Sequence, residues 1–254
     1  NIKERNDLVR GNAIITSGDR GLWGGSNPAV NSVDHLDITT NSTATDFGDL
    51  TEANRKSAAA GAVTRFIRWG GETPSAVNTC DFANPFNAGN FTDFGDLTAT
   101  GQTTNTAHTN NVFAVGASGQ GSANANLNRM TVATQGNAAQ FGDATRNLTW
   151  SSGGGNRTRF LTAGIYPGAN SIDIKSMSSD GNSVDFGDLS SSKWGIGTAS
   201  DITRAVFCGG SDPGHSDDIE FVTISTSGNV TDFGNLTAGS ADASIASNSK
   251  RAVI

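Results

Sequence analysis

Two cysteines, three histidines and a single tyrosine are the scarce side chains from which a catalytic or metal site would have to be assembled. His35, His108 and His215 lie far apart with no short ligand spacing, so they do not read as a metal site, and no cofactor is expected. Cys80 and Cys208 each sit inside an apolar run, which reads as small core residues and not as nucleophiles or as a disulfide framework. A tyrosine-radical oxidase would have only Tyr166 to work with. Glycosidase chemistry of the arginine-cluster type would need arginines gathered at one mouth, and here they recur in a repeated slot. No acid/base or metal cluster of the kind a hydrolase or oxidase requires is legible, and the chain is expected not to be an enzyme.

The larger pattern is repetition. A D-F-G-D-L-like string recurs at Asp46-Phe47-Gly48, Asp93-Phe94-Gly95, Gln140-Phe141-Gly142, Asp185-Phe186-Gly187 and Asp232-Phe233-Gly234, with Phe-to-Phe steps of 47, 47, 45 and 47 residues. The kinase metal-binding triplet has the same letters. It occurs once per kinase, between a glycine-rich loop and a catalytic loop that this chain lacks.

Each period also holds a small-residue segment (strand A), an apolar run closed by glycine (strand B) and a third strand C. Strand C carries apolar positions at offsets of three and two: Val33/Leu36/Ile38, Val77/Cys80/Phe82, Leu127/Met130/Val132, Ile172/Lys175/Met177 and Ile219/Val222/Ile224. The step of two keeps one face, and the odd step implies a bulge or a change of buried face. With the D-F-G segment as strand D, four short strands per period match a β-propeller blade.

Glycine, threonine, serine and asparagine are abundant and charged residues make up only 16%, as suits an all-β chain of short strands and tight turns. A formal net charge of −7 offers no basic field for a phosphate backbone, so nucleic acid is not an expected partner. No stretch approaches the roughly 18 apolar residues of a membrane-spanning helix, and the amino end has no signal-peptide core, so membrane insertion is not expected. A start at Asn1 leaves processing and a longer parent chain both open.

The expected fold is therefore a single all-β propeller domain over residues 1–254, built from four-stranded antiparallel blades. The repeats span about 10–51, 52–98, 99–145, 146–190 and 191–237. Residues 238–254 then offer a strand A and the start of a strand B, while Asn6-Asp7-Leu8-Val9 looks like the end of a strand D. Pairing of 238–254 with 1–9 would give a sixth blade and close the ring; five blades with a redundant tail is the alternative.

Within this frame the five phenylalanines Phe47, Phe94, Phe141, Phe186 and Phe233 are expected as wedges between blades, each burial worth roughly 1.5 to 3 kcal/mol. Arg20, Arg65, Arg159 and Arg204 open strand B in the repeats that carry Asp46, Asp93, Asp185 and Asp232, whereas the third repeat has Asn111 and Gln140. This joint loss predicts an Arg-to-Asp contact, since an unpaired charge in a crevice is costly. Four of the five prolines fall in the loops after strand B, and these loops and the D-to-A connections should share the face around the channel mouth. Asn27, Glu72, Tyr166, Asp212 and His215 on those loops are the candidate ligand-binding residues, for a polar ligand such as a glycan; ordinary turn chemistry is the competing account. Six N-x-S/T sequons, at Asn41, Asn90, Asn147, Asn156, Asn229 and Asn235, would matter only in a glycosylating host.

The order of small-residue strand, apolar strand ending in Gly-Gly, strand C and aromatic-bearing strand D resembles kelch-type blades, with the phenylalanine in the aromatic slot. The strings T-D-F-G-D-L-T and T-R-A-V-F-C-G-G resemble repeats of virion proteins from tailed phages of cyanobacteria, over nearly the whole chain. That resemblance implies a structural or adhesive propeller of a virion or extracellular appendage. Its implied partners are other appendage proteins, copies of itself or a cell-surface glycan. A soluble glycan-binding lectin and, further off, a propeller hydrolase or oxidase are the alternatives.

Overall fold

The structure, a computed structural model, describes residues 19–25, 28–40, 43–100, 106–117, 125–211, 213–248 and 250–253. Its described elements are all strands, arranged in consecutive antiparallel sheets. The first sheet holds β1 (Arg20–Gly24), β2 (Val30–Asp37) and β3 (Thr45–Asn54). The second holds β4 (Ala58–Gly61), β5 (Phe66–Trp69), β6 (Thr79–Ala83) and β7 (Thr92–Asp96). The third holds β8 (Ala107–Thr109), β9 (Phe113–Ala117), β10 (Asn126–Thr131) and β11 (Ala139–Asp143). The fourth holds β12 (Ser152–Gly155), β13 (Arg159–Ala163), β14 (Ala169–Ser176) and β15 (Val184–Lys193). The fifth holds β16 (Gly197–Ser200), β17 (Arg204–Cys208), β18 (Asp218–Thr223) and β19 (Thr231–Asn235). A two-stranded sheet, β20 (Ala246–Ser247) with β21 (Ala252–Val253), follows.

These are five propeller blades, not six. After β19 the chain supplies only an inner pair of strands, and residues 1–9, expected to complete a closing blade, lie outside the described residues. Four blades have the expected four strands. The first shows three, because the segment that would be its strand A falls before Asp19. The innermost strands β4, β8, β12, β16 and β20 are neighbours in succession, and β20 also touches β1.

Every strand C pairs with its strand D through a shared register shift of one residue against two, with the extra residue, the phenylalanine of D-F-G, on strand D and not on strand C; β2–β3 and β14–β15 carry a second shift. The pairing corrects one alignment. Cys80 faces Gly95 as Val33 faces Gly48, so the second blade's set is Cys80/Ala83/Pro85 and not Val77/Cys80/Phe82.

The core lies between blades and not within them. Phe47 packs with Phe66, Ala83 and Phe91 of the second blade, and Phe94 packs with Ala114, Met130 and Val132 of the third. Phe141 joins Phe160 and Met177 of the fourth, and Phe186 joins Phe207, Val222 and Ile224 of the fifth. Phe233 breaks the series: it is 59% exposed, because no blade with strands C and D follows β19 among the described residues.

Main-chain bonds seal the same four seams. Gly89, Gly136, Gly181 and Gly228, each in the C-to-D loop of one blade, donate their N–H to the carbonyls of Phe47, Phe94, Phe141 and Phe186 in the blade before. The Asn after each of these glycines accepts from the amide of Asp49, Asp96, Asp143 or Asp188, at 3.0 to 3.1 Å. The loop backbone comes so close that the glycine of D-F-G has no room for a side chain: a Cβ on Gly95, at φ +141°, would lie 2.5 Å from the Gly136 carbonyl oxygen. A third bond runs from Thr51, Thr98, Thr145 or Ser190 to a buried acceptor on strand C of the next blade, respectively Asp81, Asn128, Asp173 and Glu220.

The Arg-to-Asp contact does not form. No ion pair joins Arg20, Arg65, Arg159 or Arg204 to Asp46, Asp93, Asp185 or Asp232 among the described residues, and those four aspartates are exposed. Arg20, Arg65 and Arg159 instead donate to the carbonyls of Pro85, Val132 and Ile224, equivalent positions at the end of strand C one blade on. A carbonyl at the seam satisfies the guanidinium with no second charge to desolvate. The third blade is the exception for a different reason than joint loss. Phe113 stands in the arginine's slot and Arg129 in the slot that Phe82 fills in the second blade, so cation and ring have traded strands. Arg129 lies over Phe113 and Phe141 and reaches Asp180 of the fourth blade at 3.0 Å.

Candidate functional site

Each D-to-A connection turns into the innermost strand through a residue with left-handed backbone. Lys56 (φ +54°), Trp150 (+56°) and Gly195 (+64°) stand two residues before β4, β12 and β16, and Asp242 (+58°) stands four residues before the shorter β20. A tryptophan in that conformation is sterically disfavoured. It is held because the turns bond to one another: Gly195 N–H donates to the Trp150 carbonyl at 2.9 Å, and Asp242 N–H to the Gly195 carbonyl at 2.7 Å. A rim of main chain thus passes from the fourth blade to the fifth and on to the turn before β20.

The B-to-C loops join that rim, as their sequence positions predict. Tyr166 N–H donates to the Thr149 carbonyl, Trp194 and Ser211 exchange both backbone bonds, and Arg55 and Glu72 do the same. The result is a contiguous aromatic ledge. Tyr166 stands edge-on to Trp194, with centroids 5.5 Å apart at 84°, and Trp194 stands edge-on to Trp150 at 5.6 Å and 77°. Tyr166 is 52% exposed and both tryptophans are half-buried. The Lys56 ammonium lies 5.6 Å from the Trp150 ring centroid.

Glu72 is not open to a ligand. It is buried and paired with Arg55 at 2.5 Å and Lys56 at 3.1 Å, and these cations hold its carboxyl below the ordinary range. Its part is to steady Lys56 over the tryptophan. His215 is exposed and belongs to another sector of the rim, beside Asp242. Burial pushes the Asp242 carboxyl up, and His215 pulls it the other way. Asn27 and Asp212 lie outside the described residues. Of the predicted residues, then, Tyr166 stands on the ledge, Glu72 reaches it only by way of Lys56 and the two tryptophans, and no hydrogen bond, ion pair or ring contact joins His215 to either among the described residues. Lys56, Trp150 and Trp194 were missed. The available signal was the two tryptophans immediately ahead of strand A in consecutive repeats.

Below the rim, a cavity of about 220 Å³ is lined by small residues of the innermost strands, such as Ala59, Gly153, Thr198 and Ala246, and by larger ones of neighbouring strands and loops, including Trp23, Phe66 and Arg68. His108 is the ionisable imidazole on that wall. It is buried, stacked at 6.0 Å on Phe160, and its Nε2 donates to the Asn156 carbonyl at 3.0 Å. Burial lowers its pKa to about 4, so it is neutral at physiological pH. Cys80 and Cys208 are core residues as predicted, their thiols pushed up by burial to about 12 and about 11.

No protein-family model and no curated protein matches this chain. Among solved structures it is similar to that of YjhT, with a TM-score of 0.69 over 92% of this chain and 86% of the other, at 12% identity. At that identity the likeness concerns the fold, and it supports the β-propeller architecture.

Proposed function

We propose that this chain is a non-catalytic, kelch-like propeller module of a virion or extracellular appendage, structural and adhesive in role, which holds a cell-surface glycan on the ledge of Tyr166, Trp194 and Trp150. The exposed ledge is the observation that carries the reading. Sugar rings present C–H faces that pack on aromatic faces, and a few polar groups beside them set orientation. Lys56, fixed by Glu72, supplies a cation for an acidic substituent.

A lectin with one pocket per blade is less well supported. The left-handed rim positions carry Lys56, Trp150, Gly195 and Asp242, so the ledge is not repeated from blade to blade. The test is a glycan array followed by titration of tryptophan fluorescence. Expected is one saturable site per chain, weakened at least tenfold in Trp194→Ala and in Tyr166→Ala, with the fold retained by circular dichroism. Binding that survives both substitutions, or several equal sites per chain, would overturn the reading.

A further inference from the structure

We propose that the outer edge of the fifth blade is a docking surface for a β-hairpin of a partner polypeptide, one that carries a Gly-Asn loop like those of this chain's own strand C to strand D hairpins. Four seams show what such an edge receives: a glycine amide on the phenylalanine carbonyl, an asparagine side chain on the next amide but one, and a strand-end carbonyl for the arginine. β19 displays the same set without the occupant. Phe233, Gly234, Asn235 and Thr237 repeat the sequence positions of Phe94, Gly95, Asp96 and Thr98. Gly234 has φ +143°, against +141° at Gly95, so the edge already has the conformation of an occupied one.

What differs is the space beyond it. Among the described residues a Cβ on Gly234 would meet nothing within 4 Å, and Phe233 is exposed with Phe221 edge-on to its ring at 6.1 Å. Arg204 matches Arg65 in position and lies over Phe221 at 4.4 Å, but no strand-end carbonyl receives it among the described residues. The edge is therefore preorganised, which lowers the ordering cost of strand addition. The occupant must bring an apolar residue two places after its glycine or a small one there, as Phe91, Ala138, Ser183 and Val230 do, and an acidic or amide side chain for the Thr237 amide, as Asp81, Asn128, Asp173 and Glu220 do. Among the described residues each Gly-Asn loop at these positions is already engaged in a seam, and the occupant is a partner's hairpin.

The experiment uses the whole protein and, as probe, a backbone-cyclised peptide of residues 216–236, the hairpin that natively covers the fourth blade. Amide hydrogen exchange by NMR is read at Asn235 and Thr237, with Asp96 as internal reference. Expected are fast exchange at Asn235 in the free protein, saturable 1:1 binding, and at least tenfold slowing at Asn235 and Thr237 with no change at Asp96. Expected too is loss of that slowing with the Asn229→Ala peptide and with Phe233→Ser protein. An Asn235 amide already as protected as Asp96 without peptide means that the edge is filled from within the chain, and the proposal falls. It falls equally if the peptide gives no saturable binding up to 1 mM, or if both substitutions leave binding intact.

Discussion

Arg65 donates from Nη1 to the carbonyl of Val132, 2.7 Å away in the next blade, while Phe82 lies 4.6 Å beneath its guanidinium. Arg65 also lies over Phe94, whereas Arg204 lies over Phe221 and has no carbonyl acceptor among the described residues. Truncation of the two arginines therefore separates the seam contacts from the ring contact they share. Arg65→Ala is expected to cost about 2 kcal/mol, the scale of a charged hydrogen bond, and Arg204→Ala less than about 1 kcal/mol. Urea unfolding midpoints of the two variants check this, and equal losses would count against an inter-blade role.

Gly95 and Gly234 share a backbone conformation that an L side chain resists, but only Gly95 faces a neighbouring carbonyl, that of Gly136. Alanine at Gly234 should cost about 1 to 2 kcal/mol from conformation alone. At Gly95 it should cost at least about 2 kcal/mol more, because the seam must open to admit the methyl. Thermal or chemical denaturation of both variants reads the difference.

Arg68 and Asp81 form a buried pair, with Nη2 to Oδ2 at 2.5 Å and Nε to Oδ2 at 3.1 Å. Arg68→Met strands the carboxylate and is expected to cost about 3 to 5 kcal/mol. Adding Asp81→Asn should restore more than half of that, since the third blade already manages with Gly116 opposite Asn128. A double variant no more stable than the single one would show that volume and not charge governs the position.

His108 makes stability pH-dependent. Its folded pKa is near 4, below the ordinary 6.5, so the unfolded chain binds a proton that the native state refuses. Its contribution is fully present above about pH 6.5 and is lost as the pH falls toward 4, by on the order of 3 kcal/mol at most. Protonation at Nδ1 would place a donor where no acceptor stands. The melting temperature should therefore fall more steeply from pH 7 to pH 4.5 in the wild type than in His108→Gln. Parallel curves would exclude this histidine as the cause.

Blade identity, strand order and the inter-blade position of four phenylalanines were legible because period and apolar spacing are local properties. The partners of the arginines were not. Arg20 and Asp46 lie in one repeat and invite pairing on paper, whereas the acceptor, Pro85, is a backbone atom of the following blade, and composition says nothing about carbonyls. The second blade's strand C was misaligned for a related reason: Val77 and Phe82 mimic the apolar offset, and only the pairing of Cys80 with Gly95 fixes the register. The Gly-Asn loops escaped notice as ordinary turn residues, although their regular spacing ahead of four of the five D-F-G-like strings was in plain view. At the rim, Tyr166 was found through its proline neighbour, and the two tryptophans were passed over because each blade spends its equivalent position differently.

The sealing of the seams through amides, carbonyls, one glycine and one asparagine has a consequence for how such a chain can vary. The seam bonds themselves use none of the side chains of the turns at the channel mouth. Those turns can be rewritten, lengthened or grafted from another sequence while the blades keep their grip, so recognition can drift quickly on a frame that stays still.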